Sequence, residues 1–163
     1  MELIYIHANR AVRAHDAIID ISGGLLGIKD IGQLESILEH IQNDDYYPEF
    51  EDKLAHLVFA VNKGHCFNDG NKRTSIALGA FFLTMNGLEV FADKFIIEME
   101  NIAVAVADNI IDKDLLIKVV YSILYEDVYT ESLKLEIVQC LLQVGSDKER
   151  PDHGAAFYKD LPE

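Results

Sequence analysis

Residues 65–85 read HCFNDGNKRTSIALGAFFLTM, and the second half of this stretch decides the fold. From Ile76 to Met85 nearly every helical face is apolar: Ile76, Ala77, Leu78, Ala80, Phe81, Phe82 and Leu83. A helix without a polar face belongs at the centre of a bundle. The first half, His65 to Arg73, puts an imidazole, a carboxylate, a Gly-Asn pair and two adjacent cations into nine residues. That group stands at the positive end of a buried helix, where backbone N–H groups favour anions. Residue by residue, Asn-Asp-Gly-Asn is also ordinary turn chemistry. The order as a whole, between two apolar helices, favours a phosphate-handling site.

Working outward, helical spacing recurs on both sides. Leu54, Leu57, Val58 and Val61 form one upstream face, closed by Gly64. Earlier, Asp30 reads as an N-cap with Gln33 as its capping-box partner, followed by Leu34, Ile37, Leu38 and Ile41 at helical spacing. Asn9–Ile21 reads as an amphipathic helix carrying Val12, Ile18 and Ile19 and ended by Gly23-Gly24, while Leu3–Ile6 is short enough to be extended. Downstream, Asn86-Gly87 closes the central helix. Further helices are predicted over Asp93–Ile111, Asp112–Tyr125 and Thr130–Val144, capped by Asp93, Asp112 and Thr130. Between Asn43 and Phe50 the period breaks; Pro48 marks a loop, and Tyr46-Tyr47 favour extended backbone. The expectation is an all-α, compact helical bundle: one domain over 1–127, an additional helix over 128–145 and a mobile tail over 146–163.

Composition narrows the function. A formal net charge of −14 over 163 residues excludes a duplex nucleic-acid binder and opposes anionic membranes. A phosphate ligand must then be held by local cations, of which Lys63, Lys72 and Arg73 are the densest group near a Gly-rich turn. The start of the chain lacks signal-peptide features, and the most apolar run is about half of what spans a bilayer. Cys66 and Cys140 show no metal spacing, which points to a reducing, cytoplasmic setting, with Cys66 a buried bystander. His7, His15, His40, His56 and His153 show no paired metal spacing and read as surface or packed residues, and Asp44 and Asp45 read as solvated loop.

If a nucleotide sat at the helix start, the amides of Gly70, Asn71 and Lys72 would face its phosphates. Asp69 is placed to hold Mg²⁺, which takes a carboxylate plus phosphate oxygens. Arg73 can grip a phosphate through paired hydrogen bonds, and Lys72 adds a point charge. His65 can take a proton from an attacking hydroxyl, and Phe67 anchors the loop inward. These roles describe transfer of a phosphorus centre, with catalysis by positioning and charge stabilisation.

At His65, Phe67, Asp69, Gly70, Asn71, Lys72 and Arg73 the chain resembles the Fic/Doc family, and within it the death-on-curing toxin branch. The likeness extends to Gly23-Gly24-Leu25 and to Phe82-Leu83 running into Asn86–Phe91, roughly Leu3 to Tyr125. It implies an all-α Fic fold with the motif between two central helices. In that reading His65 is the general base, Asp69 holds Mg²⁺, and Gly70–Arg73 bind the phosphates of ATP, with Asn71 and Arg73 completing the catalytic set. The Asn43–Phe50 loop matches the position of the family's flap, which aligns a target segment as an added strand through Asp45, Tyr46 and Tyr47.

AMP-transferring members carry glycine where this chain has Lys72, and a second arginine where it has Ile76. Both departures mark the death-on-curing branch. The resemblance thus implies transfer of the γ-phosphate to a hydroxyl of a translation factor such as elongation factor Tu, and a toxin paired with an antitoxin. AMP transfer and a non-catalytic binding member are the rival readings. Toxins of the branch end near the position of Tyr125, so the added helix implies extra packing or a homo-oligomer contact. Ser132 and Glu136 have the spacing of a Fic inhibitory helix, but Ile137 stands where that pattern has Gly or Asn.

Overall fold

The structure, a computed structural model, describes residues 2–146. Seven α-helices follow one another among them: α1 (Ala8–Ser22), α2 (Ile31–His40), α3 (Phe50–Gly64), α4 (Asn71–Met85), α5 (Ala92–Ala107), α6 (Lys113–Tyr125) and α7 (Glu131–Ser146). A 3₁₀ turn, Glu89–Phe91, leads into α5. No strand runs through the described residues; one isolated bridge joins Ile28 to Phe67. The all-α expectation holds. The predicted tail lies outside the described residues, apart from its first residue, Ser146, which ends α7.

The motif helix α4 is central, packed by α1, α3 and α5. Leu78, Phe82 and Leu83 are buried on it, against Leu54, Val58 and Val61 of α3 and Phe95 and Met99 of α5 in one continuous core. Gly79 permits the close crossing with α5. A Cβ there would lie 2.7 Å from Cε1 and Cζ of Phe95, and overpacking of that kind costs about 1–3 kcal/mol.

Helix starts follow their expected caps with one exception. Asp30 accepts the Gln33 N–H at 2.9 Å, Asp112 the Leu115 N–H at 2.8 Å and Thr130 Oγ1 the Leu133 N–H at 3.2 Å. Asp93 is not a cap: the 3₁₀ turn runs straight into α5, Phe91 takes the N-cap position and Asp93 falls in the first turn. Leu3–Ile6 forms no strand, because its partner is a side chain. The Asn86 amide accepts from Ile4 N–H at 2.8 Å and donates to Ile4 O at 3.0 Å.

Candidate active site

The motif loop joins the end of α3 to the start of α4. Gly64 closes α3, and His65 follows in the left-handed region (φ 49°, ψ 43°), where non-glycine residues are uncommon. Its imidazole is exposed and has no hydrogen-bond partner among the described residues. Cys66 and Phe67 then turn inward and are buried. Burial, with the Asp30 carboxylate second, pushes the Cys66 thiol up.

The chain just after α1 fastens the loop from outside. Cys66 O accepts the N–H groups of Lys29 and Asp30 at 2.8 and 3.0 Å, and Asn68 N–H donates to Gly27 O at 3.1 Å. With the Ile28–Phe67 bridge, this aligns residues 27–30 beside the motif. From the other side, the Asn71 amide grips Phe67 twice, accepting its N–H at 3.1 Å and donating to its carbonyl at 3.0 Å.

Asp69 faces outward between these supports. Its Oδ1 accepts Gly70 N–H at 2.7 Å, its Oδ2 accepts Leu25 N–H at 3.0 Å, and Arg73 Nη2 lies 3.8 Å from Oδ1. Gly70 takes the left-handed N-cap position of α4 (φ 75°), with no side chain to cap the helix. Gly24 has φ 123°, and a Cβ on it would come within 2.4 Å of Asp69 Oδ2. Only glycine lets the backbone approach the carboxylate so closely there. Arg73 Nη1 donates to Ser22 Oγ and to Gly23 O, the latter at 2.8 Å.

One face of α1 therefore underlies the site: His15, Ile19 and Ser22, at i, i+4 and i+7. His15 is fully buried, its Nε2 2.7 Å from the Asp69 carbonyl oxygen and its ring stacked on Phe67 at 3.9 Å. His15 reads from the sequence only as surface or packed, and Ser22 carries no sequence signal. The helical spacing was visible, but a mixed polar and apolar stripe is invisible to a search for apolar period.

His65, Asp69, Gly70, Asn71, Lys72 and Arg73 thus come together at one loop and the helix start it leads into. Several assigned groups are engaged differently from expectation. The Gly70 amide already serves Asp69, the Asn71 side chain serves Phe67, and Arg73 is turned toward α1. Lys63 does not join Lys72 and Arg73. Its Nζ donates to Val106 O and Ala107 O at 3.4 and 3.3 Å and to Asn109 Oδ1, drawn by the carbonyl-rich end of α5.

The segment assigned to the flap is folded differently from expectation. Asn43–Phe50 forms turns, closed by Tyr46 and Tyr47 N–H groups on Asn43 O, so Tyr46-Tyr47 is not extended. Tyr47 is buried, its hydroxyl 3.1 Å from His40 Nδ1 and 3.0 Å from His56 Nδ1. Asp45 N–H folds back onto Asn43 Oδ1 at 2.9 Å, and Tyr46 is exposed. Local hydrogen bonds and a histidine pocket win over the extended preference of adjacent tyrosines. The segment that lies against the motif is residues 24–30. Asp44 pairs with the buried Lys53 at 2.7 Å.

Among the described residues no three His, Cys, Asp or Glu side chains cluster to hold a metal ion. Asp69 fits Mg²⁺ nonetheless: its carboxylate is 42% exposed, and Mg²⁺ at phosphate sites needs one or two carboxylates and substrate oxygens. On α7, Glu136 pairs with Lys118 of α6 at 2.9 Å, and among the described residues Arg73 bonds Ser22, Gly23 and Asp69 and not α7. No helix among the described residues is long and apolar enough to cross a membrane.

Comparison with known proteins agrees with this geometry. The chain is 40% identical over 91 residues to "Protein kinase doc" of Escherichia phage P1, an alignment covering 53% of this chain and 71% of that protein. It is 34% identical over 96 residues to "Toxin Doc" of Mycolicibacterium smegmatis, covering 56% and 74%. The Fic/DOC family model matches residues 4–83, from just before α1 to near the end of α4. With two relatives above 30% identity covered over more than two thirds of their length, and the motif loop inside the matched region, the chain belongs to the Fic/Doc family.

Proposed function

We propose that the chain is a Doc-type toxin that moves the γ-phosphate of ATP to a serine or threonine hydroxyl of a target protein. The observation that carries this reading is the His65 imidazole. It is exposed and without a hydrogen-bond partner among the described residues, on the loop that presents Asp69 and the start of α4, which no side chain caps. The acceptor oxygen attacks the γ-phosphorus as the bond to the β–γ bridging oxygen breaks. ADP leaves and the hydroxyl proton passes to His65. The start of α4 and Lys72 receive phosphate oxygens, and Arg73 turns from Ser22 and Gly23 to join them. Asp69 would hold Mg²⁺, which when bound supplies charge neutralisation at the phosphates.

Lys72 and Ile76 support phosphoryl over adenylyl transfer, and the phage relative's name, a protein kinase, agrees. The target is proposed to be a translation factor such as elongation factor Tu, and the toxin to be held by an antitoxin. Residues 24–30, with Leu25 and Leu26 exposed, take the target-aligning part first assigned to Asn43–Phe50. The test is purified protein with a bacterial lysate and ATP labelled at either phosphorus. Label from the γ position should enter a translation factor. Label from the α position would make the protein an AMP transferase. No transfer from either, with target capture intact, would make it a binding member.

A further inference from the structure

We infer that His15 is a positioning residue for this site: it fixes the Asp69–Gly70 peptide, and so aims the Asp69 carboxylate. The inference rests on the phosphotransfer reading above. His15 is 0% exposed on α1, and its Nε2 lies 2.7 Å from the Asp69 carbonyl oxygen, 54 residues away. A carbonyl only accepts, so Nε2 carries the hydrogen and donates. The other ring nitrogen, Nδ1, lies 3.1 Å from Asp16 Oδ1. The ring lies parallel to Phe67, centroids 3.9 Å apart and planes 5° apart, and Phe67 is itself held by Asn71.

The position of the bond gives it a functional consequence. The carbonyl that His15 holds belongs to the same residue as the carboxylate assigned to Mg²⁺. The next amide, Gly70 N–H, donates back to that carboxylate at 2.7 Å. Rotation of this one peptide would swing the carbonyl, the Gly70 amide and the start of α4 together. A Cβ on Gly70 would lie 3.7 Å from His15 Nε2 and 3.0 Å from Ile19 Cδ1, so α1 packs directly beneath the turn. Packing alone needs only an apolar ring on Phe67; a donor aimed at Asp69 does more.

Two substitutions separate these parts. His15→Phe keeps a ring on Phe67 and removes the donor; His15→Gln keeps a donor near the Nε2 position and removes the ring. With the full chain, Mn²⁺ in saturating ADP is followed by electron paramagnetic resonance, and kcat and KM for ATP are measured in parallel. For His15→Phe, Mn²⁺ affinity and kcat should each fall about 10–100-fold with KM for ATP nearly unchanged, and His15→Gln should recover to within about fivefold. A His15→Phe protein equal to wild type, or equal losses in both variants, would overturn the inference. Should His15→Phe fail to fold by circular dichroism, the imidazole ¹⁵N spectrum of the wild type decides. A protonated Nε2 is expected, and a bare one sinks the idea. Wild type that transfers nothing fails the phosphotransfer reading, whereas active wild type matched by His15→Phe fails this inference alone.

Discussion

Two histidines of the α3 region, His56 within the helix and His65 one residue past its end, show what makes a side chain chemically available. His56 is enclosed by its neighbours. Its ring stacks on Tyr47 at 4.4 Å and its Nδ1 lies 3.0 Å from the Tyr47 hydroxyl. Burial, then the charge of Lys113 and then His40, lower its pKa to about 4. His65 stands in a left-handed position on an exposed loop and bonds to nothing among the described residues. The same side chain is a structural element in one place and a candidate base in the other. Tertiary structure sets the difference by engaging one imidazole and leaving the other open.

The largest predicted effect breaks that symmetry. His65→Ala should lower phosphoryl transfer by about 10²–10⁴-fold, the range of a lost general base, and leave the urea midpoint unchanged. Growth arrest on expression should vanish with it. Tyr47→Phe should do the reverse. It strips the shared partner from His40 Nδ1 and His56 Nδ1, costing about 1–3 kcal/mol of stability, while transfer stays near wild type. Loss of activity in Tyr47→Phe at full folding would place the tyrosine in the site, as a flap role would require.

A pH profile sharpens the contrast further. The His56 pKa falls from 6.5 unfolded to about 4 folded, so between those values the unfolded chain binds the additional proton. Stability supported by neutral His56 is therefore complete above pH 6.5 and is lost as pH falls toward 4. His56 is partly open to solvent, which moderates the effect. Carboxylates also titrate in this window, so the measurement is a difference: the melting temperature of wild type should fall more steeply from pH 6.5 to 4 than that of His56→Phe. Parallel curves would mean that the folded environment does not hold His56 neutral.

The sequence carried the fold because its signals were local. The all-round apolar run of α4 announced a central helix, and Asp30, Asp112 and Thr130 marked three helix starts. The motif was legible for the same reason, since His65 to Arg73 are contiguous. What escaped were partners that meet only through folding. His15 and Ser22 lie more than 50 residues from Asp69 and Arg73, and no period links them. Lys63 was misplaced because proximity in sequence stood in for direction: it points along α3 toward the end of α5. Tyr46-Tyr47 looked extended, whereas Asn43 closes a turn and two histidines enclose Tyr47.

The smallest predicted effect concerns the far side of the molecule. Ser132 and Glu136 share the spacing of an inhibitory helix, yet α7 packs on α6, and Glu136 engages Lys118 at 2.9 Å on an exposed surface. Lys118 is pushed up by that hydrogen bond and by the Glu136 charge, but exposed pairs of this kind add little to stability because water and salt screen them. Ile76 stands where the second arginine that such a glutamate contacts would be, and Arg73 is held by Ser22 and Gly23 at the α1 terminus. Glu136→Ala should therefore leave both the urea midpoint and the transfer rate unchanged, the rate within about twofold, as expected for a surface substitution remote from the chemistry. A severalfold rise in rate with unchanged stability would mean that α7 restrains the motif after all. The restraint on Arg73 would then lie with α7 as well as with α1.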